Sequence, residues 1–584
     1  MTALCAAFSA GTLQTASASV SPAGAASVSG GTASIFQAGA ASAFPAGPGN
    51  FGSGAGGQAA QKTGNASVPT ADGEKIRAVT YSGHEWVINF WSTETEYLEA
   101  DLEQIKKDGF NTIILCVPWR QFQPSVHSRT FNETAFEKLR GILKTAGEQD
   151  VSVMLRLGYT WDYYDDSDLP ARYQQLIYDG SYQTAWKQYA QKIYETVSGY
   201  DSYIGAFLTW EDFWNFVSSE EALAGTYNGK RLAKEMGFTD YVLEHYDREE
   251  RLLLYGDASL ADAPEFPKKD SPAYRFFLDW YDSWLNELLS ETQEVFPNLS
   301  MECRLDQDPY LLPQEGGISG VKEEAAQLAG YSHGQTFPCA GAGYSSLMLS
   351  AGMGYESGSK ISAAEAAGMG RQLLQQSRAM AQKPIFADQF LYMETTPGYE
   401  DLAGLPETEM NDYLAKMGDV FNEQTIGYGI WTYRDYADNI VNNPEFGQAL
   451  SGWSVSPSVH TETYKGSEMA ALGNGMSISQ SLSGRSFLGT GTAKLRFRAV
   501  SEKPVQLSLS VGGVTKNVTV SGDETVSAEF PSETADSLRI MAFGDVLIDS
   551  VKLYTHVTEG GIYGLDGKEG PYLSGIRACN EKIK

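Results

Sequence analysis

The run Ile204-Gly-Ala-Phe-Leu-Thr-Trp-Glu211-Asp-Phe-Trp214 carries an apolar stretch into a carboxylate walled by two indoles. Apolar surface around a carboxyl group penalises its charged form, so Trp210 and Trp214 would raise the pKa of Glu211 and let it hold a proton near neutrality. A proton donor of this kind, working with a second carboxylate, is what cleavage of a glycosidic bond requires. The structural alternative is an ion-paired glutamate beside a core tryptophan.

Other residues of the same type stand at the ends of similar runs. Arg156 closes one and is placed to orient a carboxylate or a sugar hydroxyl, the alternative being an ion pair inside the fold. Trp431 lies on another, near its end, and offers a flat face for a sugar ring. The acidic aromatic loop Trp161-Asp-Tyr-Tyr-Asp-Asp166 is a candidate subsite wall, and Glu302 and His333 fall on plausible rim positions. Gly-rich phosphate loops, serine-nucleophile elbows and paired metal-binding histidines are absent from the sequence, so neither a metal nor another cofactor is expected.

Eight short apolar runs, each followed by a helix-like stretch, fill residues 76–441 and must position these groups. The strands are read at Trp86–Trp91, Thr112–Trp119, Val151–Gly158, Ile204–Glu211, Ser300–Leu305, Gly334–Cys339, Pro384–Phe390 and Gly427–Tyr433. Near-continuous apolar strands alternating with helices indicate a parallel sheet covered on both faces, and eight units indicate closure into a (β/α)8 TIM barrel. Active sites of such barrels sit at the C-terminal ends of the strands, where the acidic and aromatic residues cluster. Residues 443–555 are rich in Ser, Thr, Gly and Val and alternate with period two, as in Val505-Gln-Leu-Ser-Leu-Ser-Val511, which reads as a β-sandwich of jelly-roll type. Residues 556–584 read as a turn and a short amphipathic helix that completes the barrel, which makes the sandwich an insertion.

The chain has 584 residues and a formal net charge of −30, which argues against nucleic acid and anionic membranes as partners. Neutral or cationic glycans fit that charge better, and the sequence leaves the oligomeric state open. No apolar run is long enough to span a bilayer. The five cysteines show neither metal-ligand spacing nor a disulfide framework. Residues 1–61 lack Asp, Glu, Lys and Arg, and the whole of 1–71 is read as a signal remnant followed by a disordered Ala/Gly/Ser-rich linker. Export, to the medium or the cell surface of a bacterium, is the expectation.

The stretches Gly109-Phe-Asn-Thr-Ile-Ile-Leu-Cys-Val-Pro-Trp-Arg-Gln-Phe-Gln-Pro124, Val153-Met-Leu-Arg-Leu-Gly158 and Gly205 to Glu211 resemble clan A glycoside hydrolases, nearest to the β-galactosidase families 35 and 42. The entry to the second region, Asn443 to Trp453, and its exit near Asp549 resemble carbohydrate-binding modules. The clan resemblance implies that Glu211 is the acid/base and that Trp119 begins a cleft wall. It also implies a glutamate nucleophile at the end of strand seven, where this chain has Gln389, and an Asn before the acid/base, where it has Trp210. An amide cannot form the usual glycosyl ester, so the second acid is read as Glu394 or Asp388. Strict alternation turns Asp388 away from the barrel axis unless a bulge turns it back. If neither approaches Glu211, an inverting enzyme with carboxyl groups roughly 6.5–9.5 Å apart, a substrate acetamido nucleophile, or a dead site remains. The resulting expectation is a secreted glycoside hydrolase acting on β-linked polysaccharide or oligosaccharide, against a non-catalytic glycan-binding protein or a transglycosylase.

Overall fold

The computed structural model describes residues 67–584 apart from 84, 88, 93–96, 124–125, 127–128, 159–171, 210–222, 269–270, 305–310, 315–316, 321–338, 351–359, 393–404, 438, 448, 466, 483–491, 533–534, 556 and 559. Its centre is a closed barrel of eight parallel strands: β1 (Ile76–Thr80), β2 (Thr112–Val117), β3 (Ser152–Leu157), β4 (Tyr203–Leu208), β5 (Ser300–Arg304), β6 (Ser345–Ser350), β7 (Ile385–Leu391) and β8 (Gly427–Ile430). Each strand pairs with its neighbours in sequence, and β8 closes on β1. Strands β2 and β3 are buried at every position, because the barrel core covers one face and helices cover the other.

The helices of the outer ring include α1 (Leu98–Lys107), α2 (Glu133–Glu148), α3 (Gly180–Val197), α4 (Tyr274–Gln293), α5 (Ala363–Ala381), α6 (Glu407–Gln424) and α7 (Leu573–Lys582). Their starts carry ordinary caps: Asn132 accepts from the Ala135 amide at α2, and Ser362 and Glu365 form a reciprocal capping box at α5. Helix α7 comes after the second region yet packs on α6, where the Cys579 backbone lies so close to Gly418 that a Cβ there would meet its oxygen at 2.7 Å. Its Arg577 reaches Asp108 at the end of α1 at 2.7 Å, and its Asn580 accepts from Tyr428 of β8 at 2.7 Å.

The second region is a separate curled antiparallel sheet. It contains β9 (Ser454–Val455), β10 (His460–Tyr464), β11 (Ser467–Leu472), β12 (Ser477–Ser481), β13 (Thr492–Val511), β14 (Val514–Pro531), β15 (Ser537–Ala542) and β16 (Val546–Tyr554). β13 and β14 form a long hairpin whose turn, Gly512-Gly513, has positive φ at both residues, which a Cβ would penalise. The first half of β13 pairs with β16 and the second half with β15, with a register shift between Ser501 and Val505. One apolar cluster runs from this sheet (Leu495, Leu507, Ile540, Ile548) to the barrel residues Trp86, Val87, Cys116 and Trp431.

Several readings of the sequence are corrected. The first barrel strand is Ile76–Thr80, and the run Trp86–Trp91, read as that strand, overlaps a 3₁₀ turn at Asn89–Ser92. Arg77 hid the true strand, but its guanidinium leaves the barrel sideways and donates to the carbonyls of Gly109 and Ile583. The sixth strand is Ser345–Ser350 rather than Gly334–Cys339. Cys339 sits in a left-handed turn, and residues 334–338 lie outside the described residues. Residues 67–71, read as the end of a linker, pack on the barrel: Pro69 and Ala71 are buried, and Ser67 exchanges hydrogen bonds with Asn298. Residues 1–66 lie outside the described residues.

Candidate active site

The barrel interior is built in layers. Ile76, Ala78, Ile114, Met154, Phe207, Tyr344 and Phe386 fill an apolar layer. Nearer the C-terminal ends of the strands come Arg156 on β3, Thr209 just past β4, Glu302 on β5 and Gln389 on β7, all within 1% of full burial. Trp431, just past β8, closes this polar layer with its ring 5.8 Å from the Arg156 guanidinium carbon.

Arg156 ties the layer together. Its Nη2 lies 2.7 Å from Oε2 of Glu302, its Nε donates to the Thr209 hydroxyl at 3.1 Å, and its Nη1 donates to Oε1 of Gln389. The Thr209 hydroxyl in turn donates to Oε1 of Glu302 at 2.9 Å. A guanidinium out of water needs a carboxylate and further acceptors of this kind, since a lone buried charge is strongly unfavourable. Thr209 is also fixed through its backbone, which donates to the Leu157 carbonyl at 3.0 Å. Trp210 and Glu211 follow it directly.

β7 carries a bulge. Ser346 and Met348 of β6 pair with Phe386 and Gln389, and Tyr428 and Ile430 of β8 pair with Ala387 and Phe390, so β7 has one residue more than either neighbour. Ala387 and Phe390 both belong to the outer core, which leaves Asp388 and Gln389 together on the inner side. The charge of Asp388 is felt by Tyr344 in the apolar layer, whose phenol pKa is pushed up by burial above all and, to a smaller degree, by Cys339 and then Asp388. The alternation that turned Asp388 outward therefore does not hold.

Trp119 is corrected as well. It is fully buried in the outer core, its indole N–H donates to Gln123 at 2.7 Å, and Trp186 and Tyr189 of α3 close on it at ring distances of 5.2 and 6.3 Å. It has no face to offer a sugar. Trp431 is packed edge-on by Trp86 at 6.2 Å and by Tyr436 at 6.5 Å, and its peptide bond to Thr432 is cis. Thr209, Trp86 and Tyr436 are the parts that the sequence reading missed. Thr209 stood inside the run ending at Glu211, which was the available signal. Glu211, Glu394, Trp161, Trp210, Trp214 and His333 lie outside the described residues. Among the described residues no cluster of His, Cys, Asp and Glu could hold a metal ion, and no helix is long and apolar enough to cross a membrane.

A family model described as Cellulase (glycosyl hydrolase family 5) matches residues 69–202, so the match falls in family 5 and not in families 35 or 42. No curated protein matches the chain. Among solved structures, the chain is similar to the exo-beta-1,4-mannosidase Op5Man5 from Opitutaceae bacterium strain TAV5 at 14% identity, over 62% of this chain and 53% of that one, with a TM-score of 0.37. It thus spans about half of that enzyme's length. A family 5 subfamily 18 variant from Streptomyces cattleya in complex with Manb1-4GlcNAc is 12% identical over 63% of this chain and 74% of that one, with a TM-score of 0.39. A subfamily 18 protein from Bifidobacterium longum subsp. infantis is 14% identical over 64% and 73%, with a TM-score of 0.37.

Proposed function

We propose that the protein is a secreted glycoside hydrolase that cleaves β-glycosidic bonds in a polysaccharide or oligosaccharide. The observation that carries this reading is the polar layer at the C-terminal mouth of the barrel, where Arg156, Glu302 and Thr209 are locked together one step before Glu211. The family 5 match over the first three barrel strands supports it. Glu211 is taken as the acid/base. Either Asp388, which the bulge in β7 supports, or Glu394 is taken as its partner acid. Trp431 is taken as the platform for the cleaved sugar. The curled sheet is taken as a β-sandwich that holds glycan and is inserted between β8 and α7; the two-sided pairing of β13 and the docking of α7 on α6 support this.

The test is incubation of the protein with a panel of β-linked glycans, followed by product sizing, alongside Glu211→Gln. Loss of general acid catalysis costs about 10²–10⁴-fold in kcat, with binding retained. Binding without turnover in the wild-type chain would instead identify a glycan-binding protein on a barrel scaffold.

A further inference from the structure

Two cysteines with no part in the candidate site meet behind β5. Cys303 lies on β5 directly after Glu302, Cys339 lies in the turn before β6, and both are fully buried. Their thiols share one acceptor, the Met301 carbonyl oxygen, at 3.9 Å from the Cys303 sulfur and 3.7 Å from the Cys339 sulfur. The Cys303 thiol also donates to the Cys339 sulfur. We infer that Cys303 and Cys339 form a disulfide when the chain meets an oxidising environment, tying β5 to the entry of β6 across the connection 304–338. Thiols in contact need only close from hydrogen-bond to covalent distance, and rotation about the Cα–Cβ bonds is the freedom they have for it.

The backbone of Cys339 is held for such a bond. Its φ is +42°, a left-handed conformation that disfavours a residue with a Cβ. The Ala342 amide at 3.0 Å and the Lys383 ammonium at 2.9 Å both donate to its carbonyl and keep it there. Glycine would serve this turn at lower cost, so what Cys339 adds is its sulfur. Burial raises the Cys339 pKa, but hydrogen bonds from Cys303, Ser345, the Met301 backbone and Ser300 outweigh it and hold the thiol below its ordinary value. The Ser300 hydroxyl lies 3.9 Å from that sulfur. Cys339 is therefore the sulfur that attacks first. Cys116 and Cys579 lie elsewhere, in the cluster shared with the curled sheet and against Tyr428. The oxidant is a small disulfide such as oxidised glutathione. The Cys339 thiolate attacks one of its sulfurs and expels one glutathione thiolate, leaving a mixed disulfide. Cys303 then gives up its proton, attacks the Cys339 sulfur and expels the second thiolate. Two electrons and two protons thus pass from the cysteines to two glutathione thiols. Because both sulfurs are buried, the exchange takes place as the chain folds or opens locally.

The full chain is tested in three preparations: exported to the oxidising bacterial periplasm, made in the reducing cytoplasm, and made in the cytoplasm and then held with oxidised glutathione in mild urea. Each is alkylated under denaturing conditions, digested with trypsin without reduction, and weighed by mass spectrometry. The tryptic peptides 276–304 and 323–360 should be joined, two hydrogens lighter than their sum, in the periplasmic and glutathione-treated protein and separate in the cytoplasmic protein. The cross-linked chain should melt about 3–10 °C above the same protein after reduction, and Cys303→Ala should lose that difference. The peptide masses of the wild type decide the matter even if Cys303→Ala does not fold. Alkylation of both cysteines in every preparation overturns the inference. So does joining of Cys339 chiefly to any other cysteine or to glutathione, and so does a Cys303–Cys339 bond that leaves the melting temperature unchanged or lower, because it would not be a bond of the native barrel.

Discussion

Arg156 shows how much of a site a single side chain can organise. It is cationic, at 1% exposure, and joined to β5, β7 and the end of β4. Its place at the end of an apolar run was legible, as was its need for a carboxylate. That Glu302 is the described carboxylate it meets was not legible, because the contact spans strands separated by more than a hundred residues. For Asp388 the sequence left two orientations open, because a one-residue bulge reverses strand alternation and leaves no trace in composition; the structure has that bulge. Trp119 was misjudged because its enclosure by Trp186 and Tyr189 depends on the distant α3. Gly158, two residues beyond Arg156, has a φ of +80°, and a Cβ there would lie 2.4 Å from the Trp186 ring. Gly158→Ala is expected to cost about 1–3 kcal/mol through overpacking and backbone strain together, read as a lower denaturant midpoint.

At the level of elements, strands clad in aliphatic residues announced themselves, and those broken by polar residues did not. β2, β3 and β7 were placed to within a residue or two, whereas β1 was obscured by Arg77 and β6 by the serines at its ends. Helix α7 makes a testable statement of its own. Burial against β8 and α6 pushes the Cys579 thiol up to about 12, against the lowering influence of Tyr428 and Lys582. The folded state thus keeps the proton over a range where the unfolded chain, with a thiol pKa of about 8.5, has lost it. This group's contribution to stability is complete below about pH 8.5 and declines by about 1.4 kcal/mol per unit as pH rises toward the folded value. Urea denaturation at pH 8 and pH 10 should show a smaller alkaline loss for Cys579→Ala than for the wild type. Equal losses would dissociate α7 from the effect.

For the whole molecule, the chain leaves the barrel after β8, builds the antiparallel sheet, and returns in α7, where Arg577 and Asn580, with Ile583 just past its end, fasten α1, β8 and β1. Deleting residues 556–584 removes all three fastenings. We expect the truncated chain to melt well below the full one, or not to fold, by calorimetry. Equal melting would make α7 an ornament.

The apolar cluster shared by the sheet and the barrel mouth has a further consequence. Trp431 rests on Trp86 and Tyr436, and both of these belong to the cluster that continues through Leu495 and Ile548. The sheet is therefore no detachable handle. It props up the ring on which a sugar would lie, so cutting it away should blunt catalysis on even the shortest soluble substrate, and heat should undo both parts in a single cooperative step.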